Sequence, residues 1–127
     1  MKNNVTKILW LSRHNMTGEQ YADLQRIYGN YGNIEIKQVS KTVNGWQDVV
    51  DLGYDCDVLA VVLPISILAD LTNPRNNRKP VIRAKSNRVP TGKWVLNPAT
   101  GKEEEEYLFE HVGWEQIESV VLSVKEL

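Results

Sequence analysis

Ile8-Leu9-Trp10-Leu11-Ser12-Arg13-His14 joins an unbroken apolar run to a polar, basic loop, and the reading of this stretch decides the fold. The run does not alternate between apolar and polar residues. It therefore reads as a strand covered on both faces, the habit of central strands in a parallel sheet. Val58-Leu59-Ala60-Val61-Val62-Leu63 is a second run of the same kind. These two segments are the expected first and third strands.

The intervening residues supply what a parallel pair needs. Thr17 with Gln20 has the spacing of a capping box, and Tyr21, Leu24, Ile27 and Tyr28 then recur at helical intervals up to Gly29. Ile34-Glu35-Ile36-Lys37 alternates, as expected of a more exposed second strand. Gly45 to Leu52 reads as a short second helix with Trp46, Val49 and Val50 inward, ended by Gly53. A third short helix is expected over Pro64 to Leu71. The loop Thr72 to Lys79 and a fourth strand beginning at Pro80-Val81-Ile82-Arg83 follow. The rhythm then breaks. Trp94-Val95-Leu96, the turn Asn97 to Gly101 and Glu104 to His111 read as a β-hairpin inserted over about residues 93–111. Tyr107, Phe109 and His111 would share one of its faces, and Glu104, Glu106, Leu108 and Glu110 the other. Val120, Leu122 and Val124 suggest a final strand near an edge.

The sum is a β-α-β-α-β-α-β domain with a late hairpin, and 127 residues suit one such domain. Right-handed crossovers would set the first and third strands side by side, where strand order reverses and where such sheets bind ligands beyond the strands' carboxyl ends. A hydrophobic fraction of 42% and a charged fraction of 24% fit a globular chain with a core. No apolar run approaches the roughly 18 residues that cross a membrane, and the polar start has no signal-peptide core behind it. A cytoplasmic location without membrane contact is the expectation. Cys56 is the only cysteine, which excludes an internal disulfide and argues against a Cys-based zinc site. With two distant histidines and no paired carboxylates at the carboxyl ends of strands, no metal site is expected, and no cofactor. A Ser-His-acid triad would lack its nucleophile elbow.

Net charge is −1, so duplex nucleic acid is not an expected partner. The distribution is uneven, however. Leu71 to Lys102 contains no Asp or Glu but carries Arg75, Arg78, Lys79, Arg83, Lys85, Arg88, Lys93 and Lys102, and Glu103 to Glu106 follow at once. This stretch is either a solvated basic surface or a basic wall for an anionic ligand.

The loop after the first strand collects the residues best suited to such a ligand. Ser12 offers a hydroxyl, Arg13 a fixed positive fork and His14 an acid/base, with Asn15 next and Thr17 opening a helix whose free amides favour anions. Ser66, after the third strand, could line the same crevice or simply start the third helix. Arg83, Lys85 and Arg88 are expected to converge on it from the fourth strand, unless they are ordinary exposed charge. The loop has no glycine before Gly18, so it is neither a Walker loop nor a dinucleotide fingerprint. His111 reads as a packed residue rather than a catalytic one.

In Ile8 to His14, Val58 to Ser66 and Pro80 to Arg83 the layout resembles the small Rossmann-like proteins related to the CARF domains of type III CRISPR systems, including the stand-alone ring nucleases. It also resembles small uncharacterised proteins of bacterial and phage genomes that carry a Leu-Ser-Arg-His opening. The resemblance implies a Rossmann-like parallel sheet and a homodimer that binds a cyclic oligoadenylate, with Ser12, Arg13 and His14 at the first contact position and Ser66 at the second. It implies a metal-independent cleavage in which a ribose 2′-hydroxyl attacks the adjacent phosphorus and leaves a 2′,3′-cyclic phosphate. Arg13 and Lys85 would then stabilise the phosphorane charge and His14 would move the proton. A non-catalytic sensor or sponge of the same ligand, or an interaction protein with an empty crevice, remains open at this point.

Overall fold

The computed structural model describes residues 5–29, 32–121 and 125–127. Strands β1 (Thr6–Leu11), β2 (Ile34–Val39), β3 (Val58–Val61), β4 (Val81–Asn97) and β5 (Lys102–Gln116) form one sheet in the order β2-β1-β3-β4-β5. Helices α1 (Gly18–Tyr28), α2 (Trp46–Leu52) and α3 (Ile65–Leu71) connect the first four strands. The first four strands run parallel and β5 lies antiparallel to β4. This is a Rossmann-like α/β sheet, as the two apolar runs imply.

β1 and β3 are adjacent and parallel, with Trp10 level with Ala60 and Leu11 with Val61. Both strands need cover on two sides because every residue of Ile8–Leu11 and Val58–Val61 is buried. Alternation divides the core accordingly. Leu9, Leu11, Leu59, Val61 and Val81 pack with Val49 of α2 and with Leu68 and Leu71 of α3. Ile8, Trp10, Ala60 and Ile82 pack with Leu24 of α1 on the opposite face. The capping box forms as spaced: Thr17 Oγ1 accepts from Gln20 N at 3.1 Å and Gln20 Oε1 from Thr17 N at 2.9 Å. Asp55 anchors the opposite pole of the sheet by accepting from Lys7 Nζ at 2.7 Å and Lys37 Nζ at 3.0 Å. These two ammonium groups hold its carboxyl well below the usual carboxylate range. Cys56 is buried, and that burial, reinforced by Asp55, pushes its thiol up and away from reactivity.

Three boundaries differ from the sequence reading. β3 stops at Val61, and Val62, 67% exposed, leaves the sheet even though its amide still donates to Leu11 O at 3.3 Å. Pro64 begins α3 two residues later and diverts the chain. The hairpin forms, but it is longer than residues 93–111, and its arms are β4 and β5 themselves. β4 pairs with β3 only at Val81 and Ile82, then runs on beside β5 as a two-stranded ribbon past the sheet's carboxyl edge. Its register shifts at Lys85/Ser86 and Pro90/Trp94. At the first shift Val112 is the extra residue of a bulge, beside Gly113 with φ +147°, and this brings His111 to the face shared by Trp114. Finally, Val120 and Val121 lie in no strand, and the rest of the expected last strand, 122–124, lies outside the described residues. Ile117 and Val120 instead pack against the α2–α3 side of the core.

Candidate functional site

Strand order reverses between β1 and β3, so the loops after these strands diverge and leave a crevice at their carboxyl ends. A cavity of about 330 Å³ occupies this position. Ser12, Arg13, His14, Lys41 and Thr42 form its polar wall; Leu11, Val43, Val62, Leu63 and Pro64 form its apolar wall. The residues that leave β3 early are therefore part of the site.

The loop is built from its neighbours. Ser12 N donates to Val39 O at 3.2 Å and carries the β1–β2 pairing one residue past the strand end. Ser12 Oγ accepts from His14 N at 3.1 Å. The His14 carbonyl accepts from the Trp10 indole at 2.8 Å and from Gln38 Nε2 at 3.3 Å. The backbone of Ser12 to His14 is thus fixed while the imidazole stays exposed. Arg13 Nη2 donates to Thr42 Oγ1 at 3.2 Å, linking the loops after β1 and β2.

The other cations sort by partner. Arg26 is paired with Asp23 and Arg83 with Glu115. Lys79 donates to Gly53 O and Tyr54 O, both at 2.8 Å. Arg88 lies 3.7 Å over the ring of Tyr107. Arg75, Arg78, Lys85, Lys93 and Lys102, like Arg13 and Lys41, have no carboxylate within ion-pair distance among the described residues, and of these unpaired cations Arg13 and Lys41 line this cavity. Two unneutralised cations on the polar wall, facing a wall that is apolar, favour an anion with an apolar portion.

The structure brings together Ser12, Arg13 and His14 of the residues expected from sequence. It does not bring the rest to this cavity. Lys85 stands opposite Gly113 on the ribbon, Arg83 is bound to Glu115, and Arg88 is stacked on Tyr107. Ser66 is exposed in the first turn of α3, and Pro64 takes its place in the wall. Asn15 Oδ1 accepts from Gln38 Nε2 at 3.0 Å. Thr17 spends its hydroxyl on the cap and lines a different cavity, about 470 Å³, with Gly18, Gln20, Ser86, Phe109 and His111. Sequence reasoning missed Lys41 and Thr42. They follow β2, the other neighbour of β1, and the rule that ligands sit beyond strand ends would have found them.

His111 is packed, with a side chain only 10% exposed, and its Nε2 lies 3.0 Å from Asp23 Oδ2. That bond, then the one from Arg26, holds the Asp23 carboxyl below its usual range. No cluster of three or more His, Cys, Asp or Glu able to hold a metal occurs among the described residues. No helix among them is long and apolar enough to cross a membrane.

No protein-family model, curated protein or solved structure matches this chain significantly. The fold and the cavity thus define the class: a Rossmann-like α/β chain with an anion-suited crevice at the switch point of its sheet.

Proposed function

We propose that the chain binds a small phosphate-bearing ligand in the cavity beyond β1 and β3, and that this ligand is a cyclic oligoadenylate. The observation that carries the reading is the pair of unneutralised cations, Arg13 and Lys41, beside the hydroxyls of Ser12 and Thr42 and opposite an apolar wall. A phosphate suits the first wall and a base face the second. The cyclic oligoadenylate is supported by the resemblance of the Ser12-Arg13-His14 loop. A cavity of about 330 Å³ is at the small end of ligand pockets, on the order of 300–1,000 Å³. A ring of nucleotides exceeds it, so a homodimer that pools two cavities accompanies the proposal. The lone, buried Cys56 suits a cytoplasmic setting.

Cleavage follows the chemistry that such a ligand allows. The ribose 2′-oxygen forms a bond to the adjacent phosphorus as the bond to the 5′-oxygen breaks. The products are a 2′,3′-cyclic phosphate and a 5′-hydroxyl. Arg13 and Lys41 stabilise the charge that grows on the phosphoryl oxygens. His14, exposed at the rim, exchanges the proton with the 2′-oxygen or the leaving 5′-oxygen. Lys85 stands opposite Gly113 on the ribbon, off the cavity wall, and has no role in this step.

Incubation with a panel of cyclic oligoadenylates in chelator, followed by chromatography, tests this directly. Linear products ending in a 2′,3′-cyclic phosphate are expected. Tight binding without products would make the chain a sensor or sponge, and neither binding nor products would end the reading.

A further inference from the structure

His111 has surroundings that the Arg13 cavity does not explain. Its side chain is 10% exposed and its Nε2 lies 3.0 Å from Asp23 Oδ2. An ionised carboxylate only accepts hydrogen bonds, so in the neutral imidazole Nε2 carries the proton and Nδ1 keeps a lone pair. That Nδ1 is buried and has no hydrogen-bond partner among the described residues. A buried acceptor left unpaired is costly, and a native structure keeps few of them.

The register of the ribbon sets a donor beside it. Ser86 stands directly across from His111. Opposed residues of an antiparallel pair share a face, with Cβ atoms roughly 4.5–5.5 Å apart. The bulge at Val112 creates this pairing and turns His111 toward α1, where Asp23 meets it; bulges often re-aim a side chain beside an active site. Asp23 is fixed in turn, since its Oδ1 accepts from Arg26 Nε at 2.9 Å and Nη2 at 2.7 Å. Ser86 is exposed, while the His111 and Asp23 side chains are largely buried. A hydroxyl open to solvent thus stands over a base whose other nitrogen is held by an acid.

Ser86 and His111 line the cavity of about 470 Å³ whose far wall is the start of α1. It shares no residue with the Arg13 cavity. Gln20 N is taken by the Thr17 cap, whereas the amides of Gly18 and Glu19 have no acceptor among the described residues. Free amides at the positive end of a helix suit an oxygen that gains negative charge during a reaction. The Glu19 carboxylate on the same wall disfavours a ligand that is already an anion. Phe109, 75% exposed, adds an apolar surface.

We propose that Ser86, His111 and Asp23 form a second, catalytic site that hydrolyses a neutral carboxylic ester with an apolar acyl group. A turn about the Ser86 Cα–Cβ bond brings Oγ to Nδ1. Oγ then bonds to the ester carbon as its proton passes to Nδ1, and the Gly18 and Glu19 amides hold the carbonyl oxygen as it becomes an oxyanion. The bond to the alcohol oxygen breaks, and that oxygen takes the proton from Nδ1. Water attacks the acyl-serine, gives its proton to Nδ1 and releases the carboxylic acid, while Ser86 Oγ recovers its proton. Asp23 is the positioning residue that fixes the imidazole tautomer. No strand-to-helix elbow presents this serine; the cross-strand register does so instead.

The full chain, in chelator, is assayed with 4-nitrophenyl acetate and butyrate, and separately labelled with a fluorophosphonate whose adduct is mapped by peptide mass spectrometry. Release of nitrophenolate and an adduct on Ser86 are expected. Ser86→Ala should abolish the adduct and lower kcat by roughly a hundredfold or more, with an unchanged Tm because the side chain is exposed. Asp23→Asn should lower kcat by a similar factor and leave KM in place, a split that loosened packing would not give. A parent with neither adduct nor release overturns the proposal. So does an adduct on another residue, or a Ser86→Ala rate equal to the parent's. Should Asp23→Asn fail to fold, the Ser86→Ala measurements decide alone.

Discussion

Arg13→Ala is the substitution on which the cavity stands. In the folded chain the guanidinium makes one hydrogen bond, to Thr42 Oγ1 at 3.2 Å, and no ion pair among the described residues. Its side chain is exposed. Removing it should shift unfolding by no more than about 0.5 kcal/mol, the range of surface substitutions away from special features. A phosphate in the cavity changes the account. A charge-assisted hydrogen bond to an anion contributes roughly 1.5–3 kcal/mol, and each 1.4 kcal/mol is about tenfold in affinity. Arg13→Ala should therefore raise the Kd for a cyclic oligoadenylate by roughly 10–150-fold while the Tm stays in place. Lys41→Ala should behave alike. Isothermal titration at two salt concentrations is the assay, and the parent should lose affinity as salt rises because exposed charge is screened. An unchanged Kd in both variants, for a ligand the parent clearly binds, would refute the assignment of the cavity.

Lys85→Ala separates the cavity from the basic stretch as a whole: its position opposite Gly113 puts it off the cavity wall, so titration should give the parent's Kd. Leu59→Ala empties a fully buried site between α2, α3 and the sheet; it should cost about 2–5 kcal/mol, read as a urea midpoint lowered by more than roughly 1 M. Asp55 carries a depressed folded-state pKa set by Lys7 and Lys37. Its contribution is therefore present above the unfolded value, about 3.9, and is lost as pH falls below it. Urea titrations across acidic pH should show Asp55→Asn with the flatter loss of stability below about pH 5, and equal slopes in both proteins would show that this carboxylate is not linked to folding.

The sequence by itself determined the sheet. Two unbroken apolar runs, too short for buried helices and rich in β-formers, read as strands covered on both faces, and the capping box of Thr17 and Gln20, with the stops at Gly29 and Gly53, marked the helices between them. These are local signals, carried by neighbours within a few residues. The position of the crevice was legible too, because strand order follows from connectivity, and Ser12, Arg13 and His14 lie where that order reverses. Only the tertiary structure decided what completes the crevice. Lys41 and Thr42 belong to a loop that meets Arg13 because β2 pairs with β1, a contact between residues far apart in the chain. Only the structure, likewise, dispersed the basic stretch. Composition placed Arg83, Lys85 and Arg88 together, but β4 leaves β3 after Ile82, and Glu115 and Tyr107 across the ribbon take up Arg83 and Arg88. Charge along a chain adds up by sequence, whereas charge in a site adds up by distance, and pairing across strands sets those distances.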